Sequence, residues 1–176
     1  MRPYSGVGIL QIPPRSSNLT VQLYADPGLG RDGQLNPAAV RQLTGWLFGG
    51  DDDLYLLVTA HKEGWLRVAC DDSGKEAWLH PTRQWHFSPW ARFLKGKMLH
   101  LLPNAPAWAL QAYPQPVATR RGATPLTATT MLKVIVAHDD WCYVLYNRTS
   151  SGWIRWRDPD GRLLIGLARS APLQSR

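Results

Sequence analysis

Apolar and polar positions alternate in two stretches of this chain, residues 60–81 and 137–156, and each stretch is built the same way. In the first, Trp65 and Arg67 fall on one face of an extended segment and Leu66 and Val68 on the other, as a half-buried strand requires. A polar turn follows, Asp71-Asp72-Ser73-Gly74, and then a second strand carrying Trp78. In the later stretch Trp141 and Val144 take the places of Trp65 and Val68, residues 147–152 take the place of the turn, and Trp153 that of Trp78. Ala60-His61 matches Ala137-His138 as well. Matched residues lie 75 to 77 positions apart. So constant an offset between two hairpins predicts two similar β units made by duplication of a small domain.

The remaining pattern extends both units. Residues 19–24 alternate as a strand and close on Ala25-Asp26-Pro27-Gly28, a turn with Pro and Gly where a β-turn takes them. Residues 108–113, closed by Pro114-Gln115-Pro116, are the counterpart. From Tyr24 to Ala60 is 36 residues, but from Tyr113 to Ala137 only 24. One inserted helix explains the excess: Asn36 suits the N-cap, Pro37 the first helical position and Gly45 the end. Trp46, Leu47 and Phe48 then read as the start of a strand, and residues 54–60 as the next. In residues 83–107, Ser88 caps, Pro89 starts and Gly96 stops a second short helix with Trp90, Phe93 and Leu94 on one face. That segment is too apolar for a free tether, so it is expected to pack between the units. Residues 97–102 read as a strand, Pro103, Asn104 and Pro106 as the boundary, and residues 162–167 as the last strand. Residues 1–18 read as an irregular lead-in whose Ile9, Leu10 and Ile12 pack on an edge, and residues 169–176 as a frayed end. The expectation is an all-β chain: a first unit over 1–82, a connector over 83–107 and a second unit over 108–176.

Composition narrows the class. The chain has 176 residues, and units of half that size bury a limited share of their surface, for which nine Trp compensate in area per residue. The 15 Gly and 14 Pro suit many turns between short strands. No apolar run approaches the ~20 residues of a membrane span. As written, the N-terminus has no secretion signal, which points to the cytoplasm; a chain trimmed of its leader would read the same and belong outside it. Charge divides the halves. Residues 1–82 hold seven Lys/Arg and nine Asp/Glu, net −2, whereas residues 83–176 hold thirteen and four, net +9. Either the opposite potentials dock the two units on each other, or the second half meets an anionic partner.

The first-strand tyrosine, long loop and Gly/Trp hairpin resemble the bacterial SH3-like domain, here in tandem. VQLYADPG, EGWLRV and KEAWLHP carry the resemblance in the first unit, and LQAYPQP, DDWCYVLY and SGWIRW in the second. Arg155-Trp156 stands where the first unit has His80-Pro81, a departure that bears on whether the two share a ligand groove. The resemblance implies two small SH3-like barrels, short helical insertions and a non-catalytic module that recognises a protein partner or a cell-wall peptide. It also implies that Tyr24 and Trp65, and their counterparts Tyr113 and Trp141, line an aromatic groove, with Trp78 and Trp153 turned to the core.

Other chemistry is weakly represented. Cys70 and Cys142 lie in or beside strands with nothing to activate a thiolate, so a nucleophile is not expected, nor is a disulfide. His61, His80, His86, His100 and His138 lack the short spacing of a metal site, and no cofactor is expected. Asp26, Asp32, Asp51, Asp52, Asp53 and Glu63 place acid beside the aromatics of the first unit, which suits a ligand carrying Arg, Lys or a free amine. The alternative reading is single-stranded nucleic acid. Arg83, Arg92, Lys95 and Lys97 interleave with Trp85, Trp90 and Phe93, phosphate contacts alternating with stacking faces, and Arg120, Arg121, Arg155, Arg157 and Arg162 add to the basic side. Those arginines could instead face the acidic loops of the first unit.

Overall fold

The computed structural model describes residues 2–13, 20–45, 47–48, 53–118, 121–147 and 149–168. Its first sheet begins in the chain with Gly8–Ile12 (β1), a five-residue strand whose Ile9, Leu10 and Ile12 are almost fully buried. Next along the chain come Gln22–Asp26 (β2), Leu29–Gln34 (β3), the helix Pro37–Thr44 (α1), Leu54–Lys62 (β4), Trp65–Ala69 (β5), Glu76–Leu79 (β6) and His86–Pro89 (β7). All seven strands join one antiparallel sheet in the order β3-β2-β6-β5-β4-β1-β7. The N-terminal lead-in is therefore an internal strand, flanked by β4 and β7, and not an irregular edge.

Local chemistry accounts for most element ends. Asn36 caps α1, its side-chain oxygen accepting from the amides of Ala38 and Ala39, Pro37 opens it and Gly45 ends it. In the β5–β6 turn the Asp71 carboxylate accepts from Ser73 N, Ser73 Oγ and Lys75 N, and the Ser73 hydroxyl leads in holding that carboxyl below its usual range. Leu47 and Phe48 form a buried turn where the sequence suggested a strand start; Trp46 lies outside the described residues.

The second half repeats the order. Trp90–Leu94 (α2) leads into Met98–Leu101 (β8), a 3-10 turn over Ala107–Ala109, Gln111–Ala112 (β9), Thr124–Pro125 (β10), Leu132–His138 (β11), Trp141–Tyr146 (β12), Ser150–Arg155 (β13) and Ile165–Leu167 (β14). Strands β13-β12-β11-β8-β14 make one sheet and β10-β9 another, and an isolated bridge between Tyr113 and Trp153 joins them. Read through that bridge, the order is β10-β9-β13-β12-β11-β8-β14, the same as in the first half. Finer details agree. Each first hairpin strand carries a bulge, between Val58 and Ala60 and between Val134 and Val136. Each hairpin turns on a residue in the left-handed region, Glu63 and Asp139. The strand expected over 108–113 is mostly the 3-10 turn, and that over 162–167 shrinks to three residues.

Residues 83–107 do more than connect. They give β7 to the first sheet and β8 to the second, so only α2 and the turn after it lie between. Ser88 belongs to β7, and α2 starts without a side-chain cap. Leu10, Ile12, Leu56, Val58, Leu66, Val68 and Leu79 fill the interior of the first half. The opposite side of β1 and β4, with Ile9, Tyr55 and Leu57, shares one continuous core with Phe48, with Trp90, Phe93 and Leu94 of α2, and with Leu99, Leu132, Val144, Ile154 and Trp156 of the second half. Trp90 lies 5.0 Å from Trp156, ring centre to ring centre, and its indole N–H donates to the Ser5 carbonyl at 2.8 Å. The N-terminal segment completes the junction. Leu163 N donates to Pro3 O, Ser5 N to Gly161 O, and Arg2 pairs with the buried carboxylate of Asp158 at 3.0 Å.

Trp90→Phe keeps an aromatic ring in the junction but removes three buried heavy atoms and leaves the Ser5 carbonyl without its donor. It is expected to lower stability by about 1–3 kcal/mol while unfolding stays a single transition, because the core is shared. Urea titration followed by tryptophan fluorescence and far-UV circular dichroism checks both points; two separated transitions would contradict the shared core.

Candidate functional site

The bends between strands bring the aromatic residues of the first half together. Tyr24 on β2 pairs with Trp78 on β6, and the Tyr24 ring meets Trp65 edge-on, 5.1 Å between centres at 82°. Trp65 opens β5 immediately after the Glu63-Gly64 turn, and His80, just past β6, also meets it edge-on, at 5.2 Å and 77°. The β2–β3 turn closes in as well. A Cβ on Gly28 would meet one atom, Cζ2 of Trp65, at 3.7 Å. Trp65 and Tyr24 are partly buried, and His80 and Asp26 are exposed. The result is an open aromatic trough with Tyr24, Trp65 and His80 as its rings and Asp26 on its rim.

The acidic rim is thinner than the sequence suggested. Asp32 pairs with Lys75 at 3.3 Å, and Asp53 accepts from the Gln11 amide. Asp51 and Asp52 lie outside the described residues. Asp26 and Glu63 stay exposed beside the trough.

The second half builds the same frame and closes it. Tyr113 meets Trp141 edge-on at 5.6 Å and 89°, as Tyr24 meets Trp65. At the place of His80, however, stands Arg155, whose guanidinium lies 5.0 Å from the Trp141 ring centre and 6.0 Å from that of Trp108. Trp108 belongs to the 3-10 turn, and its carbonyl accepts from the Tyr113 hydroxyl at 2.7 Å. Burial raises the pKa of that hydroxyl, opposed by the Arg155 charge. Trp141 retains 7% exposure and Tyr113 4%, which corrects the expectation that Trp141 stays open. Trp78 and Trp153 depart the other way. Both alternate opposite to core positions and are only partly buried, Trp153 lying against Tyr143 at 5.4 Å. Trp108 and His80, which decide whether each trough is open, were not among the expected site residues. The His80/Arg155 difference was the signal that could have found them.

The basic surface is arranged differently from either sequence expectation. Trp85, Trp90 and Phe93 are buried at 7%, 5% and 7%, so they offer no face to stack a base. Arg155 lies on Trp141. Arg157 pairs with Asp140 of its own half, and Arg162 covers Tyr4 at 4.2 Å. Arg121 is exposed, and Arg120 lies outside the described residues. Among the described residues the charged pair that joins the halves is Arg2 with Asp158, and no arginine of the second half pairs with an acidic loop of the first.

Burial raises the thiols of Cys70 and Cys142 to about 11 and about 12. Both are free. Among the described residues no three His, Cys, Asp or Glu gather as a metal site, and no helix is long and apolar enough to cross a membrane. No family model matches the chain, and no curated protein matches it at a significant level.

Because the folded thiols ionise far above the ordinary value, they stay protonated at pH 8, where an unfolded thiol is already partly thiolate. A disulfide reagent is therefore expected to label both cysteines in denaturant and neither at a comparable rate in the native protein at pH 8. Fast native labelling of either would contradict their burial.

Proposed function

We propose that the chain is a non-catalytic binding module of two SH3-like barrels in tandem, and that the Tyr24–Trp65–His80 trough of the first barrel is its binding site. The ligand is peptide-like, a protein partner or a cell-wall peptide. The observation that carries this reading is the contrast between two equal frames: Trp65 is left partly open where Trp141 is sealed by Arg155 and Trp108. A ring pair held edge-on by flanking strands presents apolar area at little cost in ordering, as recognition surfaces for extended peptides do. Asp26 on the rim adds a carboxylate that favours a ligand with a basic side chain or free amine. The second barrel acts as a support, its own trough filled from within.

Single-stranded nucleic acid is the weaker reading, because the aromatics that would stack bases lie in the core and two of the arginines are engaged with Asp140 and Tyr4.

Trp65→Ala is expected to leave the far-UV spectrum and the unfolding midpoint nearly unchanged while weakening ligand binding at least roughly 10-fold, as loss of a central aromatic contact does. Trp141→Ala should instead destabilise the protein by about 3–5 kcal/mol. Binding is measured on purified cell-wall sacculi and on partners recovered from native extract. The site assignment fails if Trp65→Ala unfolds the protein, or if it binds both as well as the parent chain.

A further inference from the structure

Five large apolar side chains stand exposed together on one face of the second sheet. Lys133 pairs across the ladder with Met98 on β8 and with Leu145 on β12, so the three lie side by side on the outer surface. Met131 precedes Lys133 by two residues and Ile135 follows by two, and the bulge after Val134 leaves Val136 outward too. Their exposures run from 39% for Met98 to 46% for Met131. Lys133 is itself exposed and takes part in none of the ion pairs among the described residues.

In the first half the same face is covered. Val58 and Val134 each precede the bulge, and each faces a valine on the next strand, Val68 and Val144. That register sets Leu57 in the place of Lys133, Tyr55 in that of Met131, Ile9 in that of Met98 and Ala69 in that of Leu145. Ile9, Tyr55 and Leu57 are at most 5% exposed, and they share their core with α2 and Phe48, Phe93 packing edge-on to both Tyr55 and Phe48. The chain thus contains an example of what covers this face: one helical turn presenting an aromatic, another aromatic three residues on, and a leucine.

We propose that the outer face of β8, β11 and β12 docks an acidic, amphipathic helical turn of a partner protein, its aromatic and leucine side chains on Met98, Met131, Ile135 and Leu145 and a carboxylate on Lys133. Charge selects the occupant. A second copy of α2 would bring Arg92, Lys95 and Lys97 against Lys133 in a half whose net charge is already +9, thirteen basic residues against four acidic. Residues 169–176 contain two arginines and no acid, and meet the same repulsion. A glutamate-bearing partner gains where both of these lose.

The chain has three methionines, and two of them are in this face. Methyl-labelled methionine NMR on the full chain therefore reads the surface directly. The probe is a peptide with the Trp-x-x-Phe-Leu spacing of α2 and glutamate at its other positions, beside a control with lysine there. The acidic peptide is expected to shift the Met98 and Met131 methyl signals saturably and leave Met1 unmoved, and the basic peptide to bind several-fold more weakly. Lys133→Glu, which keeps the fold, should invert that preference. The proposal is overturned if neither methyl responds, or if both peptides act equally on parent and variant. It is also overturned if the two methyls shift with protein concentration alone, which would make a second copy the occupant, or if shortening the chain to residue 168 shifts them without peptide, which would make it the chain's own end.

Discussion

The Trp90 indole gives its ring to Trp156 and its N–H to the Ser5 carbonyl, and these two contacts hold three distant stretches of chain at one point. Either alone would be modest. Together they fix the helical turn between the sheets, and with it Phe93, which reaches Phe48 and Tyr55 on the first sheet. Because β7 ends where α2 begins, and β8 starts just after it, the position of this turn sets the relative placement of both sheets. A small domain buries too little surface to be secure by itself. Sharing one core across the junction offsets that shortfall and uses large rings where area is most effective.

The same junction explains how two frames of equal strand order diverge. The first sheet spends one side of β1 and β4 on the junction and keeps its Tyr–Trp trough on another side, free of its neighbour. The second sheet contributes its interior to the junction, and its trough is filled locally, by Arg155 from β13 and Trp108 from the 3-10 turn. The Arg155 guanidinium lies within cation–π reach of both indoles and is more weakly hydrated than an ammonium, which offsets the burial of its Nε without a hydrogen-bond partner. One position, histidine in the first half and arginine in the second, thus acts with Trp108 to separate an open trough from a closed one.

Local signals were legible in the sequence and distant ones were not. The Asn36-Pro37 start of α1 and the two Trp hairpins follow from residues close in sequence or from the matched hairpins, whereas the meeting of Tyr24 with Trp65, 41 positions apart, was suggested only by the family resemblance. β1 escaped because a five-residue apolar run opening on glycine, just before Pro13-Pro14, carries little periodicity; its partner β4 lies more than forty residues away. The burial of Trp141 has one near cause and one distant one: Arg155, its own cross-strand partner where the first half has His80, was visible in the hairpin, whereas Trp108 lies more than thirty residues before it. Trp78 and Trp153 were expected inside on the family resemblance, yet strand alternation leaves them only partly buried, and alternation was the better guide.

The first residues of the chain rest on the last turn of the second half, with Arg162 reaching the Arg2 carbonyl across 160 positions. On a ribosome Pro3 and Ser5 emerge long before Leu163 and Gly161, their backbone partners. Through most of synthesis the N-terminal strap therefore has nothing to close on, and Ser5 cannot receive Trp90 in its final setting until the far end arrives. The seal is made last by a stretch that was made early, so a change in residues 2–5 would act on the closing step of assembly rather than on its beginning.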